Sequence, residues 1–322
     1  MASCWRMRQF PSLGRAKCAC AFEPLRSIIA TNSLKQPEVW RIAGRDLTPV
    51  SDGAGQVDAV GPGVGAFAVG DQVMTLYFRN RPNGPPHPGM GMGLGSLEED
   101  GVMADYVVLP AERLTRAPQT LSFAEAATLP CAGLTAWSAL QLEHSVGRNS
   151  KVLALGTGGV SILALCFARS LGAELAATTS RDTKTSALRA LGVRTIVNYK
   201  DVADWGQAVF DATGGVDKVV NAAGTGSLNQ SMAALRPGGE VAVMGLMTFG
   251  EPLDALQLLS KGVSVRGTAV GSATEAEAMV RAVDELGVRP PIHRSFRFEE
   301  LKAAYEAQVA PNLVGKVVLA FD

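Results

Sequence analysis

From residue 151 onward, short apolar runs alternate with stretches in which apolar residues recur every three or four positions. Residues 151–155 predict a strand, and Val160, Leu163, Ala164, Phe167, Ala168 and Leu171 follow at helical spacing. Residues 174–178 predict a second strand and 183–191 a helix; 194–197 and 218–221 are further strands. Residues 228–235 predict a helix stopped by Pro237-Gly238-Gly239, and 240–244 and 263–266 complete six strand candidates. Such alternation implies a parallel sheet covered on both faces, because each crossover helix must pack back onto it. Two amphipathic helices (274–286 and 298–307) and a final strand (316–321) follow.

The first third is patterned differently. Residues 51–110 are rich in Gly and Pro, with short strands predicted at 56–60, 72–78 and 106–109 and a long loop over 79–95. Residues 1–50 show no regular period. Residues 1–26 carry Arg6, Arg8, Arg15 and Lys17 with no acid before Glu23, the composition of an organelle transit peptide. The other reading is a divergent N-terminus. The two place the protein in the mitochondrion or the cytoplasm respectively.

Length and charge narrow the class. The 322 residues suggest roughly two domains. Thirty basic and thirty acidic side chains cancel, which argues against a nucleic-acid or membrane-surface partner. No apolar run is long enough to span a bilayer. Five Cys in a chain of this length do not make a disulfide framework and fit a reducing compartment.

The sharpest motif is Leu155-Gly156-Thr157-Gly158-Gly159-Val160-Ser161, between a strand and an amphipathic helix. Gly156 allows a tight turn, Gly158 and Gly159 let backbone N–H groups approach a pyrophosphate, and the helix N-terminus favours the phosphate charge. Ser161 occupies the third glycine slot and is still small. The second strand ends Ala177-Thr178-Thr179-Ser180-Arg181, with no acid at Thr179 to receive ribose hydroxyls. Ser180 and Arg181 suit a 2′-phosphate, so NADP(H) is expected over NAD(H). Asp182 is expected as N-cap of the next helix rather than as a ribose acid.

These motifs, with Ser51-Asp52-Gly53-Ala54-Gly55, Val60-Gly61-Pro62-Gly63, Val69-Gly70-Asp71-Gln72-Val73, Thr128-Leu129-Pro130-Cys131-Ala132-Gly133-Leu134-Thr135, Leu235-Arg236-Pro237-Gly238-Gly239 and Gly315-Lys316-Val317-Val318-Leu319, stand in an order that resembles the medium-chain dehydrogenase/reductase superfamily. The nearest look is to its zinc-independent alcohol dehydrogenase-like and quinone oxidoreductase-like branch. The resemblance implies an α/β fold, a Rossmann doubly wound parallel sheet inserted in a GroES-like, mostly-β catalytic domain. The catalytic domain would span 1–133 (1–45 divergent) and return over 271–322, with the NADP-binding domain at 134–270. The resemblance also implies a homodimer joined through the last Rossmann strand. Gly156, Thr157, Gly158, Gly159 and Val160 would hold the pyrophosphate, and Ser180, Arg181 and Tyr199 the adenosine phosphate. Gly224, Gly245 and Thr135 would lie toward the nicotinamide, although Thr135 reads equally as a residue packing the domain junction.

Zinc members of the superfamily use Cys, a His-Glu pair and a later Cys or His. The His-Glu slot here reads Ser51-Asp52, and Cys131 alone cannot make a site, so no metal is expected. His144 and His293 read as surface residues. Hydride transfer without a metal needs a hydroxyl, N–H or water to neutralise the developing oxyanion. Tyr77, Ser51, Asp52 and His87 of the long loop are the candidates, with Tyr77 also readable as a sheet residue and Asp52 as a turn residue. Leu76, Phe78, Leu134 and Met247 are candidate walls of an apolar pocket suited to a small hydrophobic carbonyl, alcohol, enone or quinone. The segment that lines the active site in the resembling family is reduced here to Gly44-Arg45-Asp46-Leu47. A catalytically impaired NADPH-binding protein with a sensing or partner role is therefore the alternative reading.

Overall fold

A computed structural model describes residues 19–21, 48–96 and 98–321. Of the expected transit peptide only residues 19–21 are described, and residues 44–47 lie outside the described residues. The first sheet starts with β1 (Ala19–Ala21), β2 (Asp52–Gln56), β3 (Gln72–Thr75) and β4 (Leu114–Arg116). The chain then enters a helical run: α1 (Phe123–Ala126), a π-helical turn (Leu129–Gly133) and α2 (Leu134–Leu140). The run begins with a capping box in which Ser122 and Glu125 satisfy each other's backbone N–H groups.

Next come β5 (Lys151–Leu155), α3 (Gly159–Ser170), β6 (Glu174–Thr179), α4 (Thr185–Ala190), β7 (Thr195–Asn198), α5 (Trp205–Thr213), β8 (Val216–Asn221), α6 (Leu228–Ala234), β9 (Leu235–Val243), α7 (Ala255–Lys261) and β10 (Ser264–Gly267). These six strands form one parallel sheet in the order β10-β9-β8-β5-β6-β7. The strand order reverses between β5 and β8, the doubly wound Rossmann arrangement. The chain returns through α8 (Ala273–Leu286), β11 (Ile292–Arg297), α9 (Leu301–Gln308) and β12 (Lys316–Ala320). The last two strands join the first sheet, ordered β11-β12-β1-β2-β3-β4. A mostly antiparallel lobe therefore encloses the Rossmann unit in sequence.

One apolar core runs through both lobes. Ala54, Met74 and Val318 of the first sheet pack with Leu134, Trp137, Ile162, Phe167 and Met279 of α2, α3 and α8. A second cluster fills the other Rossmann face, and a third, with Leu94, Phe296, Val317 and Leu319, the other face of the first sheet. Alternation along β12 explains the division: Val317 and Leu319 face one cluster, Val318 the other. Lys316 shares the Val318 face. Its Nζ lies 3.2 Å from Asp52 Oδ2, reaching across β1 with both side chains buried.

The structure moves several expected elements. The strand expected at 56–60 is β2, four residues earlier, and 106–109 joins no ladder. Glycine masks β2: a Cβ on Gly53 would lie 2.8 Å from Val102 Cγ2, so packing demands the residue that strand propensity disfavours. The strand expected at 72–78 stops at Thr75. The fifth Rossmann strand starts at Leu235 and runs through Pro237-Gly238-Gly239. Asp182 does not cap a helix. It opens a 3-10 turn over Asp182–Lys184, and its Oδ1 accepts from Asn198 Nδ2 at 3.1 Å. Asp52 is a buried strand residue rather than a turn residue. His293 is half-buried rather than a surface residue, while His144 is exposed. β1, β4, β11, α1, α2, α5 and α7 have no counterpart in the expected elements.

The buried pair yields a stability test. Lys316→Met takes the ammonium away from the buried Asp52 carboxylate and should cost about 3–5 kcal/mol in urea unfolding. The double variant Asp52→Leu, Lys316→Met should recover part of that loss.

Candidate cofactor cleft

β5 delivers Gly156 at the carboxyl edge of the sheet with φ +79°, a left-handed conformation that favours glycine. Its N–H donates to Thr178 O (3.1 Å) and Thr178 Oγ1 (3.2 Å) at the end of β6. A Cβ on Gly156 or Gly158 would meet nothing within 4 Å, so both glycines border open space that a side chain would fill. α3 starts at Gly159, and no side chain caps it. Its first intrahelical donor is Ile162 N, to Gly158 O at 3.0 Å. The N–H groups of Gly159, Val160 and Ser161 are thus those a helix leaves for an anion. Ser161 Oγ turns inward and donates to Leu155 O at 2.7 Å, tying the helix to the strand in the slot where a third glycine would give close packing. A dinucleotide pyrophosphate fits this cradle.

Thr157 does not point at the open space. Its Oγ1 donates to Leu313 O (3.0 Å), and its carbonyl accepts from Gly315 N (3.0 Å). The glycine turn is thus stitched to the returning catalytic lobe.

At the end of β6, Thr179 Oγ1 accepts from Arg181 N (3.3 Å) and Thr179 O from Tyr199 N (3.0 Å). Ser180, Arg181 and Tyr199 are brought together at this edge, Arg181 exposed and Tyr199 partly so. Sequence reasoning missed Lys184. Its Nζ donates to Thr157 Oγ1 at 2.9 Å, which places an ammonium at the glycine turn. Burial and then the neighbouring Arg181 charge lower its pKa from the usual lysine range. The half-buried His293 is lowered by burial, Lys184 and Arg294, in that order. A lysine three positions after Arg181 was the signal available in the sequence.

Gly224 and Gly245 are glycines for a different reason. A Cβ on Gly224 would sit 2.7 Å from Thr248 O, and one on Gly245 2.1 Å from Ala222 O. The loops after β8 and β9 cross at backbone contact there, organised by Asn221, whose Oδ1 accepts from Ala223 N and Gly224 N. Thr135 is buried in α2 and donates to Cys131 O at 2.7 Å.

Of the expected proton carriers, Ser51 and Asp52 are bonded to each other and Tyr77 is bonded elsewhere. Tyr77 is buried, its hydroxyl donating to Met92 O at 2.8 Å and its edge against the Gly93 backbone. Ser51 is half-buried, and its Oγ donates to Asp52 Oδ1 at 2.7 Å. Leu76, Phe78 and Leu134 are core residues, while Met247 is exposed. Among the described residues no three His, Cys, Asp or Glu side chains gather as a metal site. Cys131 is buried.

Comparison with known proteins agrees with this architecture. Residues 27–119 match the alcohol dehydrogenase GroES-like domain and 159–285 the zinc-binding dehydrogenase family. A zinc-type alcohol dehydrogenase-like protein of Schizosaccharomyces pombe is 38% identical over 285 residues, covering 86% of this chain and 82% of its own. The chain belongs to the medium-chain dehydrogenase/reductase superfamily. It is an NAD(P)-dependent oxidoreductase of the alcohol dehydrogenase-like kind. A solved NAD-dependent alcohol dehydrogenase is 28% identical with a TM-score of 0.78, covering 98% of this chain and 95% of that one. A cobalt- and zinc-bound thermostable alcohol dehydrogenase from Pyrobaculum aerophilum is 26% identical with a TM-score of 0.78, over 95% and 90% of the two chains.

Gly156→Val places a branched side chain in the cradle and forces it into a left-handed conformation costing ~1–2 kcal/mol. Fluorescence titration should show nicotinamide-nucleotide affinity falling about tenfold or more, with the fold retained by circular dichroism.

Proposed function

We propose that this dehydrogenase/reductase prefers NADP(H) to NAD(H) and moves a hydride to or from a small hydrophobic carbonyl, alcohol, enone or quinone without a metal. The observation that carries the cofactor preference is the charge at the end of β6. The carboxylate nearest that edge, Asp182, is bonded to Asn198, and the ammonium of Lys184 stands at the glycine turn beside Arg181. A 2′-phosphate meets cations there, with Ser180 and Tyr199 alongside. Gly156, Thr157, Gly158, Gly159 and Val160 form the pyrophosphate cradle. The Rossmann unit is read as residues 134–270, its crossings lying at Gly133-Leu134 and Val270-Gly271.

The cofactor, when bound, supplies the hydride chemistry. The chain must orient the acceptor and neutralise its oxygen. Ser51 is the hydroxyl assigned to this: its proton rests on Asp52, which Lys316 holds in place, and turns from there to the acceptor oxygen when substrate binds. Absence of a metal is supported by Ser51 and Asp52 standing in the His-Glu slot, because a serine hydroxyl is a poor zinc ligand. Gly224, Gly245 and Thr135 shape the nicotinamide end. A homodimer is supported by β10 at the sheet edge and by Phe249, Leu256 and Leu259 nearby in sequence, which are 81%, 77% and 77% exposed.

Calorimetric titration should show NADPH binding more tightly than NADH, with Arg181→Ala and Lys184→Ala each reducing the preference about tenfold. Tighter NADH binding overturns the assignment. Because the Lys184 pKa is lowered, its cation is lost before the ordinary lysine value of 10.5, so the NADPH advantage should shrink on the alkaline side below that pH. Elemental analysis should find no stoichiometric zinc, and turnover against enones, quinones and aldehydes should survive a chelator. Leu256→Asp combined with Phe249→Asp should shift the mass measured by light scattering from dimer to monomer.

A further inference from the structure

The two crossings between the lobes touch. The first is the π-helical turn and the start of α2; the second is the segment 268–271 between β10 and α8. A Cβ on Gly271 would lie 2.6 Å from Leu134 Cγ and 2.7 Å from Ser138 Oγ, so the second crossing presses its backbone onto the first. One residue earlier, Val270 is buried with φ +51°. A β-branched side chain in the left-handed region is strained and persists only where its surroundings over-determine it. The crossing leaves the sheet where Thr268 N donates to Val243 O at 2.9 Å, at the carboxyl end of β9. That end faces the nicotinamide half of a Rossmann cleft.

Arg81 supplies the missing restraint. It belongs to the long loop 79–95 of the catalytic lobe, yet its side chain is buried. Its Nη1 donates to Ala269 O, its Nε to Gly84 O at 3.2 Å, and its Nη2 lies 3.6 Å from Glu275 Oε2. The main chain repeats the tie. Arg81 O accepts from Ala273 N (3.0 Å), and Pro82 O accepts from both Thr274 N and Thr274 Oγ1 (3.0 Å each). With Ser272 Oγ on Glu275 N and Ser272 O on Ala276 N, all four first-turn donors of α8 are satisfied, two of them by the loop. Glu275 serves both sides, since its Oε2 also accepts from Ser272 N at 2.7 Å.

We propose that Arg81 is a positioning residue: it locks the second crossing in its strained conformation and so sets the geometry of the nicotinamide end of the cleft. The catalytic part of this rests on the cofactor reading above; the mechanical part does not. Both are tested by hydrogen exchange and kinetics on the full chain. Arg81→Met should raise amide exchange over 268–274 and 81–95 by about tenfold, the loss expected for a charge-assisted hydrogen bond, while 150–165 keeps its protection. kcat should fall about tenfold with the NADPH Kd within about twofold, because the cradle at 156–160 is untouched. Arg81→Lys, which retains one donor toward Ala269 O, should lie between, and it carries the test if Arg81→Met does not fold. Unchanged exchange over 268–274, or protection lost uniformly along the chain, overturns the proposal. Failure of wild-type protein to bind NADPH overturns the cofactor reading instead and leaves the exchange result to stand alone.

Discussion

The arrangement depends on two hydrogen bonds at one threonine. Thr157 sits inside the glycine turn, yet it spends its hydroxyl and its carbonyl on Leu313 and Gly315 of the other lobe. The turn is thereby anchored on its closed side and open on the other, where Gly156 and Gly158 border free space. The same returning stretch continues into Lys316, whose ammonium meets Asp52. Gly315 makes this possible: its φ is +81°, and a Cβ would stand 2.5 Å from Pro291 O. Four consecutive residues thus fix the glycine turn and the base of the first sheet together. A change that loosens one is felt by the other.

Charge is divided in a way that separates structure from chemistry. The fully enclosed ions are paired. Lys218 meets Glu240 between β8 and β9, Arg113 meets Glu99 and the carbonyls of Leu76 and Tyr77, and Lys316 meets Asp52. Burial is the first cause lowering Lys218, opposed by Glu240, and it pushes Arg113 down to about 10. Among the described residues no carboxylate forms an ion pair with Arg181 or Lys184, and both stand at the sheet edge beside the cradle. Cations gathered beside an anion cradle are the electrostatic complement of a phosphate, whereas enclosed ion pairs mainly specify packing.

Sequence pattern predicted the Rossmann half well because its signals are redundant. β5, β6 and β8 carry short apolar runs, and the crossover helices α3, α4 and α6 carry a helical period. The catalytic half was harder to read. There the strands are three to six residues long, and β2 is Asp-Gly-Ala-Gly-Gln, in which glycine is required by Val102 rather than by a turn. α5 was missed because Trp205, Gly206 and Val209 bury a narrow face among polar residues, and α7 because its apolar side chains are exposed. The site divides similarly. The glycine turn and Arg181 are local in sequence and were legible. Lys184 acts through Thr157, 27 positions away, and Arg81 through Ala269, 188 positions away. Such partners follow from topology, which periodicity does not encode.

Glycine shows the limit most sharply. Gly156 and Gly158 look in sequence like Gly224, Gly245 and Gly271, each placed after an apolar segment. In space they differ in kind. The first two face emptiness that a phosphate can enter, while the other three are pressed against backbone or the Leu134 side chain. A side chain at the first kind blocks a ligand and leaves the fold; at the second it forces apart the loops or crossings that meet there. Gly224 and Gly245 let two loops cross, and under the proposed cofactor reading that crossing is what shapes the nicotinamide end. The cleft is built by close approach of backbone at one end and by its deliberate absence at the other.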